Sequence, residues 1–267
     1  MSLVKQYGLL VAPLSIEIEG EQYLEGIDIT ADEFYERVGS AKSVSTSQPS
    51  PGRFIDLYRE AAEAGAQEIL SIHIGSSISG TVQSAELASD SSPVPLTVID
   101  TGQASFAEGL CVWEAIDALV AGKSTGEVAQ VVQAASREVG NTFVVRALDL
   151  ARRGGRLAAG EDASAGIPVM ALTSGGMKVL GSARTVDEAV ETMAGHVATA
   201  AEEAAGRKLR VGVGHGAAPD IATALCSRIE GIDGIGEIVE YVVGPVVGAH
   251  TGAGTVGAVF LARPVLV

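Results

Sequence analysis

A run of hydroxyl side chains near residue 76 occupies a position where an anion could bind. It follows residues 69–74, an apolar segment that contains β-branched residues and ends at Gly75, as a buried strand of a parallel sheet does. From Thr81 onward the apolar spacing becomes helical. The unpaired N–H groups of a helix start favour a carboxylate or phosphate. The hydroxyls at this helix start belong to Ser76, Ser77, Ser79 and Thr81, with Gly80 among them.

Two roles remain open for these hydroxyls. Serine and threonine are the usual N-cap residues, so one of them could simply cap the following helix. A single cap needs a single hydroxyl, however, and this turn carries four. The pattern is therefore equally compatible with a cap and with a ligand site.

A second hydroxyl-rich segment covers residues 42–51 and contains Thr46 and Ser47. Ser50 followed by Pro51 is typical of an N-cap and first turn, and predicts a helix over residues 54–64 that ends at Gly65. We expect residues 42–51 to form a polar loop that leads into this helix. Taken alone, this segment is more typical of an ordinary surface loop than of a binding loop, because Ser, Thr and Pro are common loop formers.

Strands and helices alternate along the first half of the chain, which predicts a parallel sheet. Residues 95–100 form the next predicted strand, and residues 101–105, beginning with Thr101, form its turn. Helices over 108–120 and 125–139 and a strand over 142–148 follow. Because ligands bind at the carboxyl ends of such strands, the turns after residues 74 and 100 should face the same crevice.

The character of the chain changes at residues 150–157, where Arg152, Arg153 and Arg156 surround a pair of glycines. We predict two α/β domains with a boundary there, residues 1–155 and residues 156–267. The N-terminal domain should contain a parallel sheet flanked by helices, and the C-terminal domain a mixed or antiparallel sheet. In the second domain we predict strands over 167–172, 177–180 and 209–215 and helices over 186–204 and 219–229.

Near the C-terminus, two predicted strands flank a loop that is centred on His250 and Thr251. A lone histidine between apolar strands is more often structural than a ligand. Glycines at positions 248, 252 and 254 shift that balance, because they permit a close approach of the backbone to another group.

Composition excludes several classes of function. The chain has 267 residues, of which 33 are acidic and 18 basic, and the net charge of -15 disfavours nucleic acid and permits at most transient contact with anionic membranes. No long apolar stretch or secretion signal is present, and Cys111 and Cys226 are expected to be buried thiols, so we expect a cytoplasmic protein. The four histidines lie apart from one another, and we expect neither a metal nor a cofactor.

The order of these segments resembles that of the DegV family of bacterial fatty-acid-binding proteins, which serve as the lipid-binding subunit of fatty acid kinase. The resemblance covers nearly the whole chain and rests on the following motifs: Thr46-Ser-Gln-Pro-Ser50, Ser77-Ile-Ser-Gly-Thr-Val-Gln-Ser-Ala85, Ile99-Asp-Thr-Gly102, Arg153-Gly-Gly-Arg156 and Gly244-Pro-Val-Val-Gly-Ala-His-Thr-Gly-Ala-Gly254. It implies two α/β domains with one long-chain fatty acid buried between them.

The resemblance also implies which residues hold the ligand. The carboxylate would lie among the hydroxyls of Thr46, Ser77 and Ser79, supported by Arg156 and His250. The remaining predicted ligand-binding residues are Ser47, Ser76, Gly80, Thr101 and Thr251. The acyl chain needs an apolar channel, for which Ile78 and Met170 are candidate lining residues.

This chain departs from the family at its start. Family members usually open with a strand that carries Asp-Ser-Thr and then Asp-Leu-Pro, and this chain begins at what corresponds to the segment after it. We therefore expect the first sheet to lack one strand and the rim of the pocket to be altered.

The resulting hypothesis is an acyl carrier that presents a fatty acid to an ATP-dependent kinase, which performs the chemistry, so that the chain itself is not an enzyme. One alternative is a hydrolase of acyl esters, with Ser77 or Ser79 as nucleophile and His250 as base. No Gly-x-Ser-x-Gly elbow and no Gly-x-x-x-x-Gly-Lys-[Ser/Thr] phosphate loop occurs, which argues against the hydrolase and against a nucleotide site in this chain. A small-molecule sensor is the third possibility.

Overall fold

The computed structural model describes residues 3–145, 152, 155, 166–174 and 176–263. The helices within these ranges are α1 (Leu3–Tyr7), α2 (Ala31–Val38), α3 (Pro51–Glu63), α4 (Thr81–Ala88), α5 (Phe106–Val120), α6 (Thr125–Glu138), α7 (Val186–Glu203), α8 (Pro219–Glu230) and α9 (Pro245–Thr251), with one 3-10 turn at Ser89–Ser91. The strands are β1 (Ser15–Ile18), β2 (Glu21–Leu24), β3 (Val44–Ser47), β4 (Ile69–His73), β5 (Leu96–Asp100), β6 (Gly140–Val144), β7 (Ile167–Thr173), β8 (Gly176–Ala183), β9 (Leu209–His215), β10 (Ile235–Val242) and β11 (Val256–Ala262). Arg156 lies outside the described residues.

The described strands form three sheets, and the predicted mixed α/β class is confirmed. A three-stranded antiparallel sheet has the order β2-β1-β3, and a two-stranded parallel sheet pairs β4 with β5. A six-stranded mixed sheet has the order β10-β9-β11-β6-β7-β8, in which only β9 and β10 are parallel neighbours.

Strand β6 does not join the parallel sheet that was predicted for the first half of the chain. It pairs antiparallel with β7 and β11. The apolar pattern correctly indicated a buried strand near residue 142, but such a pattern carries no information about the direction of the partner strand. Strand β6 lies before the boundary predicted near residue 155, although its partners β7 and β11 lie after it.

Helix starts follow the local sequence signals. Thr30 and Glu33 form a reciprocal capping box at the start of α2, since each side chain bonds to the backbone N–H of the other residue. Ser50 caps α3 and Pro51 occupies its first turn, both as predicted. Gly65 follows the end of α3 with φ of 98°, a left-handed conformation that favours glycine.

Alternating side chains of β11 pack into two different hydrophobic cores. Val256 and Ala258 pack with helices α7 and α8 on one face of the six-stranded sheet. Val259 and Leu261 pack on the other face with the apolar side of α5 and α6, which also contacts Ile99 of β5. Helices α5 and α6 therefore lie between the parallel pair β4–β5 and the six-stranded sheet. This layering brings the loops after β4 and β5 close to the edge of the larger sheet.

In the described ranges, no helix is long and apolar enough to cross a membrane.

Candidate ligand-binding site

Thr46 and His250 meet at the centre of the site. The Oγ1 atom of Thr46 lies 2.9 Å from Nε2 of His250, and the contact is partly buried. The predicted loop assignments of both residues were wrong: Thr46 lies on strand β3, where it pairs with Ile16 of β1, and His250 lies in the last turn of helix α9. Pairing with β1 places the hydroxyl-rich segment in a sheet, and a seven-residue helix that starts with Pro245 is too short to show a helical period in the sequence.

A cavity of about 100 Å³, the polar cavity, opens beside this pair. It brings together six of the predicted residues, namely Thr46, Ser47, Ser79, Gly80, His250 and Thr251. Its other walls are Leu14, Gln48, Ile74, Ile78, Ala104, Leu172, Met177, Val246 and Val247. Hydroxyls from β3 and from the β4–α4 loop and the imidazole from α9 therefore meet at one place, as the sequence motifs predicted.

The turns after β4 and β5 pack against each other, as predicted from the parallel sheet. The Gly75 N–H donates to the carbonyl of Gln103 at 2.8 Å, and the Ser76 N–H donates to the Asp100 carboxylate at 3.2 Å. A side chain at Gly75 would come within 2.7 Å of the Gly102 backbone, so the approach of these turns requires glycine.

Three predicted residues do not line either described cavity. Ser76 and Ser77 are exposed at the outer side of the β4–α4 loop. Thr101 is buried, and its hydroxyl donates to the carbonyl of His73 at 2.8 Å, so it ties β5 to β4. Arg156 lies outside the described residues, so its contact with the polar cavity stays a prediction.

The start of helix α4 has no side-chain cap. Its N-cap residue is Gly80, and the hydroxyls of Ser79 and Thr81 bond to each other at 2.8 Å. Ser79 Oγ also accepts from the Thr81 N–H at 3.4 Å, so one of the four hydroxyls bonds to the first N–H of the helix without occupying the N-cap position. A Cβ atom at Gly80 would lie 3.0 Å from the Gln48 amide, so the glycine lets this amide approach the cavity.

A second cavity of about 90 Å³, the apolar cavity, adjoins the first. The two share Ala104, Leu172, Met177, Val247 and Thr251 as wall residues. The apolar cavity continues along Ala107, Phe143, Val243, Ala258 and Val259. The two cavities therefore lie side by side, one with hydroxyl and imidazole groups in its wall and the other with a mostly apolar wall.

Hydroxyl and amide groups in the apolar cavity bond to the protein itself. Thr251 and Thr255 donate to the carbonyls of Val247 and Thr251 at 3.1 and 3.0 Å. The Asn141 amide forms two bonds with the backbone of Leu172, and the Thr142 hydroxyl lies 2.9 Å from Nδ1 of His196. Satisfied in this way, these groups do not require a polar ligand, and the wall can accept hydrocarbon.

Several lining residues were not predicted from the sequence. Gln48, Ala104 and Val247 are common residue types whose role depends on which segments meet. Gln48 and Val247 lie within quoted motifs, whereas Ala104 does not. Ile78, predicted to line the channel of the acyl chain, lines the polar cavity, and Met170 is fully buried and packs with Val145 and Met177.

The glycines around His250 accommodate protein groups. A Cβ atom at Gly248 would lie 2.6 Å from Oη of Tyr35 and 2.8 Å from the Phe34 ring. Tyr35 also approaches Gly216 and donates from its hydroxyl to the carbonyl of Val243 at 3.1 Å. Gly252 and Gly254 have φ of 80° and 86° and form the turn into β11. The close approach predicted for position 248 is therefore made by helix α2.

Two carboxyl groups lie near the backbone of the cavity wall. Glu25 accepts from the N–H of Val246 at 2.9 Å, and burial raises the pKa of its carboxyl group. Burial, together with the charge of Glu25, raises the pKa of Glu108 to about 8, and the nearby backbone of Ile74 partly opposes this shift. Both groups thus lie beside residues that line the polar cavity.

The arrangement that a serine hydrolase needs is not formed by Ser77, which is exposed and lies outside the cavity that His250 lines. Ser71 and His73 do form a pair, with Oγ 2.6 Å from Nε2, but both residues are buried and neither lines a described cavity. The hydroxyl of Tyr58 completes this network at 3.1 Å from the Ser71 oxygen. These contacts join α3 to β4 and have no access to a substrate.

Comparison with known proteins identifies the family. The family model described as "Uncharacterised protein, DegV family" matches residues 1–263. A DegV domain-containing protein of Streptomyces coelicolor is 34% identical over 268 residues, which cover 97% of this chain and 93% of that protein. The chain belongs to the DegV family, and the resemblance inferred from the motifs is confirmed.

Solved structures share the fold over almost the full length. A DegV family protein of Thermus thermophilus, described by its fatty acid binding, matches with a TM-score of 0.90 and 33% identity over 97% of this chain and 94% of that one. A DegV lipid-binding protein of Thermotoga maritima matches with a TM-score of 0.87 and 26% identity over 98% and 94%.

Proposed function

We propose that this DegV family chain binds one long-chain fatty acid in the joined cavities. The carboxylate occupies the polar cavity beside Thr46, Ser79 and His250, and the acyl chain runs past Ala104 into the apolar cavity. The observation that carries this proposal is the convergence of these three side chains at one cavity that adjoins a second, mostly apolar cavity. The fatty acid and lipid binding of the Thermus and Thermotoga proteins supports the same ligand class.

The chemistry of the two cavities matches the two ends of a fatty acid. A carboxylate that leaves water requires hydrogen-bond donors, which hydroxyl and imidazole groups supply. Each methylene group that enters an apolar cavity contributes about 0.8 kcal/mol, so a long chain supplies most of the binding free energy. Arg156 remains a proposed partner of the carboxylate, and the domain boundary near residue 155 remains a proposal as well.

We further propose that the bound carboxylate is presented to an ATP-dependent fatty acid kinase, which phosphorylates it while this chain holds the acyl group. The carboxylate has to be reachable for this step, and the placement of the polar cavity between β3, the β4–α4 loop and α9 leaves it near several loops. A cytoplasmic location suits an ATP-dependent partner, and it also suits Cys111 and Cys226, which are free and buried.

Native mass spectrometry tests the ligand proposal. Purified protein should carry a mass increment of one fatty acid, and delipidated protein should regain one equivalent when palmitate is added. Delipidated protein that fails to bind palmitate or any other fatty acid between eight and twenty carbons would overturn the proposal.

The partner proposal has its own test. Palmitate-loaded protein, ATP and a purified fatty acid kinase subunit should yield acyl phosphate, which hydroxylamine traps as palmitoyl hydroxamate. Two results would contradict presentation to such a kinase. One is an equal yield of palmitoyl hydroxamate when this chain is left out. The other is no palmitoyl hydroxamate with a kinase subunit that is active on another DegV protein.

A further inference from the structure

Glu25 contacts the helix that carries His250, although it lies 221 residues from its partner in the chain. It follows strand β2, and its Oε1 atom accepts from the N–H of Val246 at 2.9 Å. Val246 lies in the first turn of α9 and lines the polar cavity, and His250 lies one turn later. The carboxyl group therefore holds the start of the element that places the imidazole.

The start of α9 depends on this side chain. Gly244 is the N-cap residue and supplies no side-chain cap, and Pro245 has no N–H, so Glu25 bonds to the first available donor of the helix. A negative charge at this end is also favoured by the helix dipole. Glu25 thus serves as an N-cap that comes from a distant part of the sequence.

Gly244 makes room for this cap. A Cβ atom at position 244 would overlap Oε1 of Glu25, and the atoms that it would approach all belong to the Glu25 side chain. The φ of Gly244 is −64°, which any L residue adopts, so the glycine is needed for the space rather than for its backbone conformation.

A second contact holds the same segment. The Tyr35 hydroxyl donates to the carbonyl of Val243, just before the helix. Glu25 bonds to Val246 after Gly244, and Tyr35 bonds to Val243 before it. These two hydrogen bonds connect the backbone on both sides of Gly244 to the N-terminal sheet and to helix α2. The Thr46 to His250 contact joins that same sheet to the end of the helix. The imidazole is therefore held through three contacts between the same two parts of the molecule.

We propose that Glu25 is a positioning residue for the head-group site: by capping α9 it fixes the His250 ring against Thr46 in the orientation that receives a carboxylate. This inference rests on the proposed function, because the site that Glu25 positions is the fatty acid site. Glu25 itself touches the helix and does not need to touch the ligand.

The experiment compares variants that break the cap from either side. Glu25→Ala removes the acceptor, Gly244→Ala displaces it, and Glu25→Gln keeps an acceptor oxygen without the charge. Gly195→Ala is the matched control, because nothing lies within 4 Å of its added Cβ atom. Palmitate affinity is measured with each delipidated protein, and the NMR signals of the His250 ring report its surroundings.

Glu25→Ala and Gly244→Ala should each weaken palmitate binding about tenfold and shift the His250 ring signals, as expected for loss of one hydrogen bond to a charged group. The palmitate affinity of Glu25→Gln should stay within about threefold of that of the parent protein, because glutamine keeps an acceptor oxygen. A general loss of stability would not spare this variant. In the Glu25→Ala background, Gly244→Ala should have no further effect, because the group that it displaces is gone.

Several outcomes separate this inference from the proposed function. A parent protein that does not bind palmitate contradicts the proposed function itself. A parent protein that binds while both alanine variants bind within twofold of it overturns the positioning role, and so does Glu25→Gln binding as weakly as Glu25→Ala. If Glu25→Ala does not fold, Gly244→Ala and Glu25→Gln decide the question without it.

Discussion

Thr46 Oγ1 lies 2.9 Å from Nε2 of His250 and joins residues that are 204 positions apart in the chain. The hydroxyl comes from strand β3 of the N-terminal antiparallel sheet, and the imidazole comes from helix α9, which precedes the last strand of the six-stranded sheet. The polar cavity is therefore assembled only when these two parts of the molecule are packed together. The affinity for a fatty acid should consequently fall when a single polar atom is removed from either side of this contact.

The valine variant of Thr46 tests the hydroxyl. Thr46→Val keeps the β-branched shape of the side chain and removes one hydrogen-bonding oxygen, so palmitate binding should weaken about tenfold. The melting temperature should change little, because the residue is only partly buried. Thr97→Val on strand β5 is the control, since Thr97 is exposed and lines neither described cavity. Equal affinities for both variants would show that the Thr46 hydroxyl does not hold the ligand.

The junction of the two cavities should control chain length. Ala104 lines both cavities, and Ala104→Leu would fill space where the acyl chain passes. Affinity for palmitate should then fall more than affinity for octanoate, whose tail hardly reaches the apolar cavity. Calorimetric titration with both acids measures the difference, and Ala121→Leu at the exposed end of α5 controls for the added bulk. An equal loss of affinity for both acids would show that the acyl chain does not pass Ala104.

His73 should make the fold sensitive to acid. Burial lowers the pKa of His73 from 6.5 to about 4, so between these values the unfolded chain binds a proton that the folded chain does not. Stability from this group is therefore lost as the pH falls from about 6.5 to about 4, by about 3 kcal/mol in total.

Urea unfolding at pH 7 and pH 4.5 checks this prediction. His73→Asn should reduce the difference in free energy of unfolding between the two pH values, because asparagine does not titrate. If the parent protein and the variant lose the same amount of stability on acidification, His73 is not the responsible group.

A buried ionic cluster should stabilise the six-stranded sheet. Arg210 is 3% exposed and bonds to Glu114, which is 1% exposed, at 2.9 Å, and to Asp117 and Glu237 at 2.7 and 2.6 Å. Arg210→Met would leave the Glu114 carboxylate buried without its partner, which should cost about 3–5 kcal/mol of the free energy of unfolding.

Arg228→Met is the matched control for the ionic cluster. Arg228 pairs with Asp187 and Glu191, both of which are mostly exposed, so its loss should cost less than about 1 kcal/mol. Similar losses of stability in the two variants would show that burial does not strengthen the Arg210 cluster.

Local signals in the sequence were sufficient for much of this fold. The Ser50 cap of α3 and the strand before Gly75 depend on neighbouring residues and were predicted correctly. Thr46 and His250 were recognised as site residues through motifs, yet both were assigned to loops. Their true elements are short and depend on distant partners, β1 for Thr46 and the Glu25 cap for His250.

Contacts made by ordinary residue types could not be predicted from the sequence. Nothing in the sequence indicates that Ala104 joins two cavities, that β6 pairs with β7 and β11, or that Thr101 binds a backbone carbonyl instead of a ligand. In each case the residue type is common, and the partner is set by how the layers pack. A motif predicts reliably which segments of the chain converge. It predicts less reliably which of its hydroxyl groups faces the cavity.

A crystal structure of the protein with bound palmitate would test the central claim most directly. We predict a carboxylate oxygen within hydrogen-bonding distance of Thr46 Oγ1, and an acyl chain that passes Ala104, Leu172 and Met177 and ends in the apolar cavity. An inverted ligand with its carboxylate in the apolar cavity, or a ligand bound away from Thr46 and His250, would contradict the account.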